Sequence, residues 1–224
     1  MITAEADGPE NAAWLKAIRK RGLEVHIVDG RSMDPGRFAL IQKAELVVLD
    51  GAPSTVRAWK PLVRLELERY LDSGKALGFL WHGDGAPDGA PLALETRLRN
   101  AAKVSAPAKP ADGPLTGGLD HRRRPHCILN GVALEGLATQ LAAPCRLDPG
   151  ANAVVSLGAQ PEAAHLAWTS SYRGSGERSG NVFVVQAAGG DAFGAGAYPQ
   201  LVANAVFWAM DWEDLIPATG VRLK

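Results

Sequence analysis

Two short apolar runs, "AELVVLDG" at residues 44–51 and "ALGFLWHG" at 76–83, most tightly restrict what this chain can fold into. Neither alternates apolar with polar residues, and each stops on a polar side chain followed by glycine. Such runs predict strands covered on both faces, as in a parallel sheet flanked by helices. Between them, Trp59, Leu62, Val63, Leu67, Tyr70 and Leu71 recur at three- and four-residue steps, which predicts a helix that Ser54 caps and Ser73-Gly74 ends. A strand, a helix and a strand in that order make a βαβ unit.

The same alternation runs upstream. Residues 11–21, "NAAWLKAIRKR", place Trp14, Leu15 and Ile18 on one helical face and stop at Gly22, before the expected strand "LEVHIVD". Met1 to Ala4 reads as a first strand, short for that job. Residues 83–119, rich in proline and glycine, read as a loop-rich excursion over the sheet's edge, with one helix in "LALETRLRNAA". "NAVVSLG", "AHLAWTSSY" and "GNVFVVQA" read as three strands, the last two joined as a hairpin by "RGSGERSG". "YPQLVANAVFWAM" is the closing helix, with Pro199 in its first turn. The fold class expected is α/β, a doubly wound, mostly parallel sheet flanked by helices, in one domain over residues 1–224.

Composition narrows the function. Lys plus Arg and Asp plus Glu stand at 24 each, so no net field draws the chain to nucleic acid or an anionic membrane. No apolar run reaches the roughly 20 residues of a membrane span, and the N-terminus carries no basic-then-apolar leader, so a soluble, cytoplasmic protein is expected. Cys127 and Cys145 sit in no metal or redox spacing and read as plain thiols. "DHRRRPH", residues 120–126, reads as a solvated basic loop, with an anion contact as the alternative.

Ligands of open α/β sheets lie beyond the carboxyl ends of the strands. The residues just past each expected strand are Glu5 and Asp7, Asp50, His82 and Asp84, and Gln186 and Asp191. His82 is the best candidate, because an imidazole on the tip of "LGFLW" costs desolvation unless it is bonded or used. Gly83 and Gly85 allow a sharp bend there, as in a nucleophile elbow.

These pieces, taken in order, resemble the ThuA-like family, named for trehalose utilisation. The resemblance rests on "AELVVLDG", "LERYLDSGKALGFLWHG", "GPLTGGLD", "AWTSSYRGSGERSGNVFVVQAAGGDAF" and "YPQLVANAVFWAMDWEDLIP". It implies a class I glutamine amidotransferase-like, flavodoxin-like sandwich. The amidotransferases of that fold carry a cysteine at the elbow, where this chain has His82, so glutaminase chemistry is not expected. The resemblance also implies a role in carbohydrate metabolism, with trehalose-type sugars or keto-sugars as the substrate class and a histidine-rich site. This chain departs from the pattern: Gly113-Pro114 stands where His-Pro is common, Gly189-Gly190 where Gly-His is common, and "AEADGPEN" lacks a histidine.

Two functions follow. One is a sugar-modifying enzyme with His82 as general acid or base, oriented by Glu5 or Asp84, and with Asp7, Asp50, Trp81, Gln186 and Asp191 as binding residues. The other is a sugar-binding or scaffolding module that has lost the family's histidines, in which Trp81, Trp168 and Tyr172 stack on sugar rings. An amidotransferase partner subunit follows from fold analogy alone. The expected partner is a small-molecule sugar, with no nucleic acid and no membrane; a homo-oligomer is compatible with the sequence. No cofactor is required, and a divalent metal would draw on His82, Asp84 and Glu5, since such sites take about three protein ligands.

Overall fold

The computed structural model describes residues 2–3, 13–26, 28–31, 35–82, 91–107, 113–120, 122–137, 145–158 and 163–223. The chain passes through β1 (Ile2–Thr3), α1 (Ala13–Lys20), β2 (Val28–Asp29), α2 (Phe38–Lys43), β3 (Leu46–Asp50), α3 (Pro61–Asp72) and β4 (Ala76–Trp81). It continues as α4 (Ala93–Ala102), β5 (Val104–Pro107), β6 (Leu115–Gly117), β7 (Cys145–Leu147), β8 (Asn152–Leu157), β9 (Ala164–Arg173), β10 (Ser179–Gln186) and α5 (Tyr198–Ala209). Eight strands form one sheet in the order β2-β1-β3-β4-β10-β9-β8-β6, and β5 with β7 form a small second one. From β2 to β10 the pairings are parallel; β9, β8 and β6 extend the sheet antiparallel. The sheet is therefore mixed, its parallel half joined to a meander.

Both faces are covered. Val48, Leu80, Phe183 and Val185 pack in one core with Trp14, Leu15 and Ile18 of α1 and Leu201, Val202 and Val206 of α5. Val47, Leu49, Leu77, Phe79 and Trp81 face the other way, into the core of Val63 and Leu67 of α3 and Leu94 and Leu98 of α4. Strand side chains alternate between faces, so a run covered on both must be apolar throughout. That is why β3 and β4 lack alternation.

Gly78 interrupts β4 for a packing reason. It pairs with Phe183 on β10, and a Cβ at Gly78 would stand 2.4 Å from that ring's Cζ. The ring lies over the bare backbone, which fills the layer beneath α5.

Three features differ from the sequence reading. Ser54 lies in a 3-10 turn, Pro53–Ala58, while α3 begins at Pro61 with no side-chain cap; proline already fixes the first-turn φ and lacks the amide hydrogen a cap would satisfy. The strand expected over 23–29 is reduced to Val28–Asp29. The excursion after β4 supplies both a face and an edge, its last strand β6 ending the sheet while α4 lies over β9, where Trp168 Nε1 donates to Ala102 O at 2.7 Å and Ser170 Oγ donates to Ala101 O at 2.7 Å. These bonds satisfy carbonyls in the helix's last turn, which have no partner within it. The edge itself is β6. Among the described residues, no helix is long and apolar enough to cross a membrane.

Two outcomes follow from this packing. Gly78→Ala should destabilise the fold by about 1–3 kcal/mol, and combining it with Phe183→Leu should return part of that loss in urea melts, whereas simple additivity would show that the ring does not sit on Gly78. The second concerns His165, paired across strands with Ser156, its Nδ1 lying 3.0 Å from Ser156 Oγ. Burial holds this imidazole below its ordinary 6.5. The unfolded chain then binds the proton more readily, so the stabilisation is complete above about pH 6.5 and is lost as pH falls from there toward the folded value. Urea midpoints across that window should fall less steeply for His165→Gln than for the parent; equal slopes would contradict it.

Candidate functional site

Neighbouring parallel strands deliver their last residues to the same edge. Asp50 ends β3 in register with Leu80, and His82 follows β4 by one residue. Their side chains meet, His82 Nε2 to Asp50 Oδ1 at 3.0 Å. The imidazole is 21% exposed and the carboxylate 12%, so the pair is shielded but still reached by solvent. A carboxylate accepts hydrogen bonds only, so the neutral ring must donate from Nε2 and keep its lone pair on Nδ1.

The strand order adds a reason to look here. The parallel half runs β2-β1-β3-β4-β10, the flavodoxin-like order, whose connections reverse between β1 and β3. The crevice of such a sheet opens beyond the tips of those two strands, and Asp50 is the tip of one. Glu5 and Asp7, which follow β1, and Asp84, which follows β4, lie outside the described residues.

The third side comes from the chain after β10. Ala187 N donates to Trp81 O at 3.0 Å, extending the pairing to the level of His82. A 3-10 turn, Gly190–Gly194, then crosses the imidazole and sets Phe193 edge-on to it, ring centres 6.1 Å apart. Phe193 is itself held edge-on by Tyr198, at the start of α5, at 5.7 Å. Gly190 backs the ring directly: a Cβ there would lie 3.5 Å from Nε2, an ordinary contact that a larger side chain would exceed. Asp191 is exposed on the same turn. On the β3 side, the turn after Gly51 is fixed by Arg57 Nε, which donates to the buried Glu95 of α4 at 2.8 Å; Arg99 also pairs with that carboxylate.

Trp81 and Gln186 are placed differently. Both belong to the face turned away from His82. Trp81 is 3% exposed and packs against Trp168 at 6.3 Å, and its indole N–H has no hydrogen-bond partner among the described residues. Gln186 is fully buried and donates to Cys145 Sγ at 3.4 Å. Burial pushes that thiol up to about 12, which leaves it protonated and unreactive. Trp168 is core, and Tyr172 donates its hydroxyl to Lys75 O at 2.6 Å, at the opposite end of β4. Among the described residues no group of three His, Cys, Asp or Glu is placed to hold a metal. Sequence reasoning missed Gly190 and Phe193; the glycine pair at 189–190 was visible, but nothing local says that it would fold back onto His82.

No family model matches the chain, and no curated protein does. Solved structures do. The cytoplasmic protein STM3548 from Salmonella typhimurium overlays with a TM-score of 0.53 at 13% identity, over 88% of this chain and 85% of its own. The N-terminal domain of mmIFT52 gives 0.54 at 13% identity, over 94% and 96%. A protein from Bacteroides uniformis described as ThuA-like gives 0.48 at 12% identity, over 93% and 89%, too loose an overlay to carry weight. At these identities the first two show a shared α/β fold.

The contact of Gly190 with the ring is open to test. Gly190→Ala should leave stability within about 0.5 kcal/mol, while Gly190→Ile should slow carbethoxylation of His82 several-fold, followed by mass spectrometry. Equal rates in both variants would place the turn away from the imidazole.

Proposed function

We propose that the chain is a proton-transfer enzyme acting on a small sugar or keto-sugar, with His82 as the acid–base group and Asp50 as its orienting carboxylate. The observation that carries this reading is the 3.0 Å contact between His82 Nε2 and Asp50 Oδ1 at adjacent strand tips. An imidazole exchanges protons near neutral pH without a metal, and a carboxylate on one nitrogen selects the tautomer that leaves the other nitrogen basic. The His82 lone pair takes a proton from the carbon next to a carbonyl, Asp50 stabilises the imidazolium formed, and the same ring returns the proton to a neighbouring carbon or oxygen. Return of the proton to the neighbouring carbon, with the hydroxyl proton passing to the carbonyl oxygen, isomerises the sugar; its delivery to a β-hydroxyl instead releases water and leaves a C=C bond, and the reverse of that step, addition of water across the C=C bond, is a hydration.

The substrate class rests on the resemblance of the five sequence segments to ThuA-like proteins. Gly190 lies against the Nε2 side of the ring, where a Cβ would stand 3.5 Å from that nitrogen, so the turn covers the nitrogen bound to Asp50 rather than Nδ1. The reading excludes covalent glutaminase chemistry, because His82 follows β4 where the amidotransferases carry their cysteine; the bend expected at Gly83 and Gly85 lies outside the described residues.

The test is exchange of carbon-bound hydrogen in D2O, followed by NMR over a panel of aldoses, ketoses and keto-sugars. The parent protein should label at least one substrate at the position next to its carbonyl. His82→Ala should lower that rate by about 10²–10⁴-fold, and Asp50→Asn by at least about tenfold, with saturation by substrate retained. Sugar binding without any labelling by the parent would assign the chain as a binding module, and labelling unaffected by His82→Ala would remove the site.

A further inference from the structure

A polar cleft lies at the other end of the sheet. It has a volume of about 740 Å³ and opens between the sheet, the C-terminal end of α5 and the loop at 120–130. Asn181, on its floor, stands five residues before Gln186 on β10, which at ~3.3 Å per residue puts it about 16 Å from the strand tips near His82. The floor is built by register. Thr169 pairs with both Asn152 and Phe183, and Ser171 pairs with Asn181, so these polar side chains share the face that Phe183 presents to α5. Farther along, that face is apolar and covered by the helix. Here α5 has ended at Ala209, and Asp211, at φ 59°, turns the chain aside while Asn181 Nδ2 donates to its carboxylate at 2.6 Å.

The walls carry balanced charge. Asp120 is committed to its own loop, accepting from the Arg122 and Arg124 amides at 2.8 and 2.9 Å and from the Arg124 guanidinium at 3.1 Å. That leaves Arg122 on one wall and Glu213 with Asp214 on the other, none in an ion pair among the described residues. The lining therefore has three carboxylates against two guanidinium groups, a balance that disfavours phosphates and other anions. Burial raises the Cys127 thiol above its ordinary range, and the nearby Glu213 and Asp120 carboxylates add to it. The half-buried Trp208 indole also lines the cleft, its ring centre 5.8 Å from that of His126.

Amides and hydroxyls that both donate and accept, carboxylates and a guanidinium in no ion pair among the described residues, near-neutral charge and an indole in the lining together match a ligand dense in hydroxyl groups with one apolar face. We infer that this cleft binds an uncharged, multiply hydroxylated ligand of roughly one to three sugar rings, the size its volume admits. The site stands independently of the chemistry proposed at His82.

The test follows the Trp208 indole resonance, assigned through Trp208→Phe, while the parent protein is titrated with glucose, maltose and maltotriose, and with glucose 6-phosphate as the charged control. At least one neutral sugar should shift it saturably, with affinity on the order of 1 mM or tighter, and glucose 6-phosphate should bind more weakly. Ser171→Phe, which fills the cleft from an exposed position, should weaken binding at least about tenfold, and the double variant Arg122→Ala with Ser171→Ala should act likewise if the first does not fold. His82→Ala should bind within about twofold of the parent, which separates this site from the strand tips. No shift with any of the three sugars, a shift that survives both cleft variants, or tighter binding of the phosphate would overturn the assignment.

Discussion

The placement of β4 between β3 and β10 is the constraint on which the rest depends. Both of its faces are buried, so every side chain from Ala76 to Trp81 is committed to a core, and Gly78 is committed to the ring of Phe183. A strand packed on both faces cannot shift register without drawing Gly78 from beneath the Phe183 ring and His82 into the core. Its first polar residue, His82, is thereby fixed at the edge of the sheet. Because β3 is equally buried and in parallel register, Asp50 is fixed beside it. The contact between His82 and Asp50 is thus a consequence of core packing, and the loops complete its surroundings rather than create it.

The partner on the other side is non-local. β10 lies about a hundred residues beyond β4, yet its parallel pairing brings the turn Gly190–Gly194 back over the imidazole. Phe193 is gripped from behind by Tyr198, so the start of α5 helps to set how close that turn lies to the ring. A change in α5 packing therefore has a physical route to His82 through two aromatic contacts. The opposite end of the same helix shapes the polar cleft by stopping short.

Much of the fold was legible in the residues. Unalternating runs foretold β3 and β4, helical spacing foretold α1, α3 and α5, and the glycine-rich "RGSGERSG" foretold the β9–β10 hairpin. What was not legible depended on distance along the chain. Ser54 looked like a cap because local chemistry favours serine there, but Pro61 starts the helix later. The middle segment looked like an edge cover, and its last strand β6 does end the sheet, but only the bonds from Trp168 and Ser170 show why α4 lies on a face. At the site, Asp50 and His82 were each visible as strand-tip residues; their contact required knowing that β3 and β4 are neighbours. Trp81 looked available to a ligand because aromatic residues suit sugars, whereas strand alternation turns it into the core.

One measurement bears most directly on the pair: long-range 1H–15N correlation of the His82 ring, in the parent protein and in Asp50→Ala, at a pH where the ring is neutral. A carboxylate at Nε2 requires the proton on that nitrogen, with Nδ1 unprotonated in the parent and a mixture of the two forms after Asp50 is removed. A proton found on Nδ1 in the parent, or a tautomer indifferent to Asp50, would show that the two strand tips do not form the unit described.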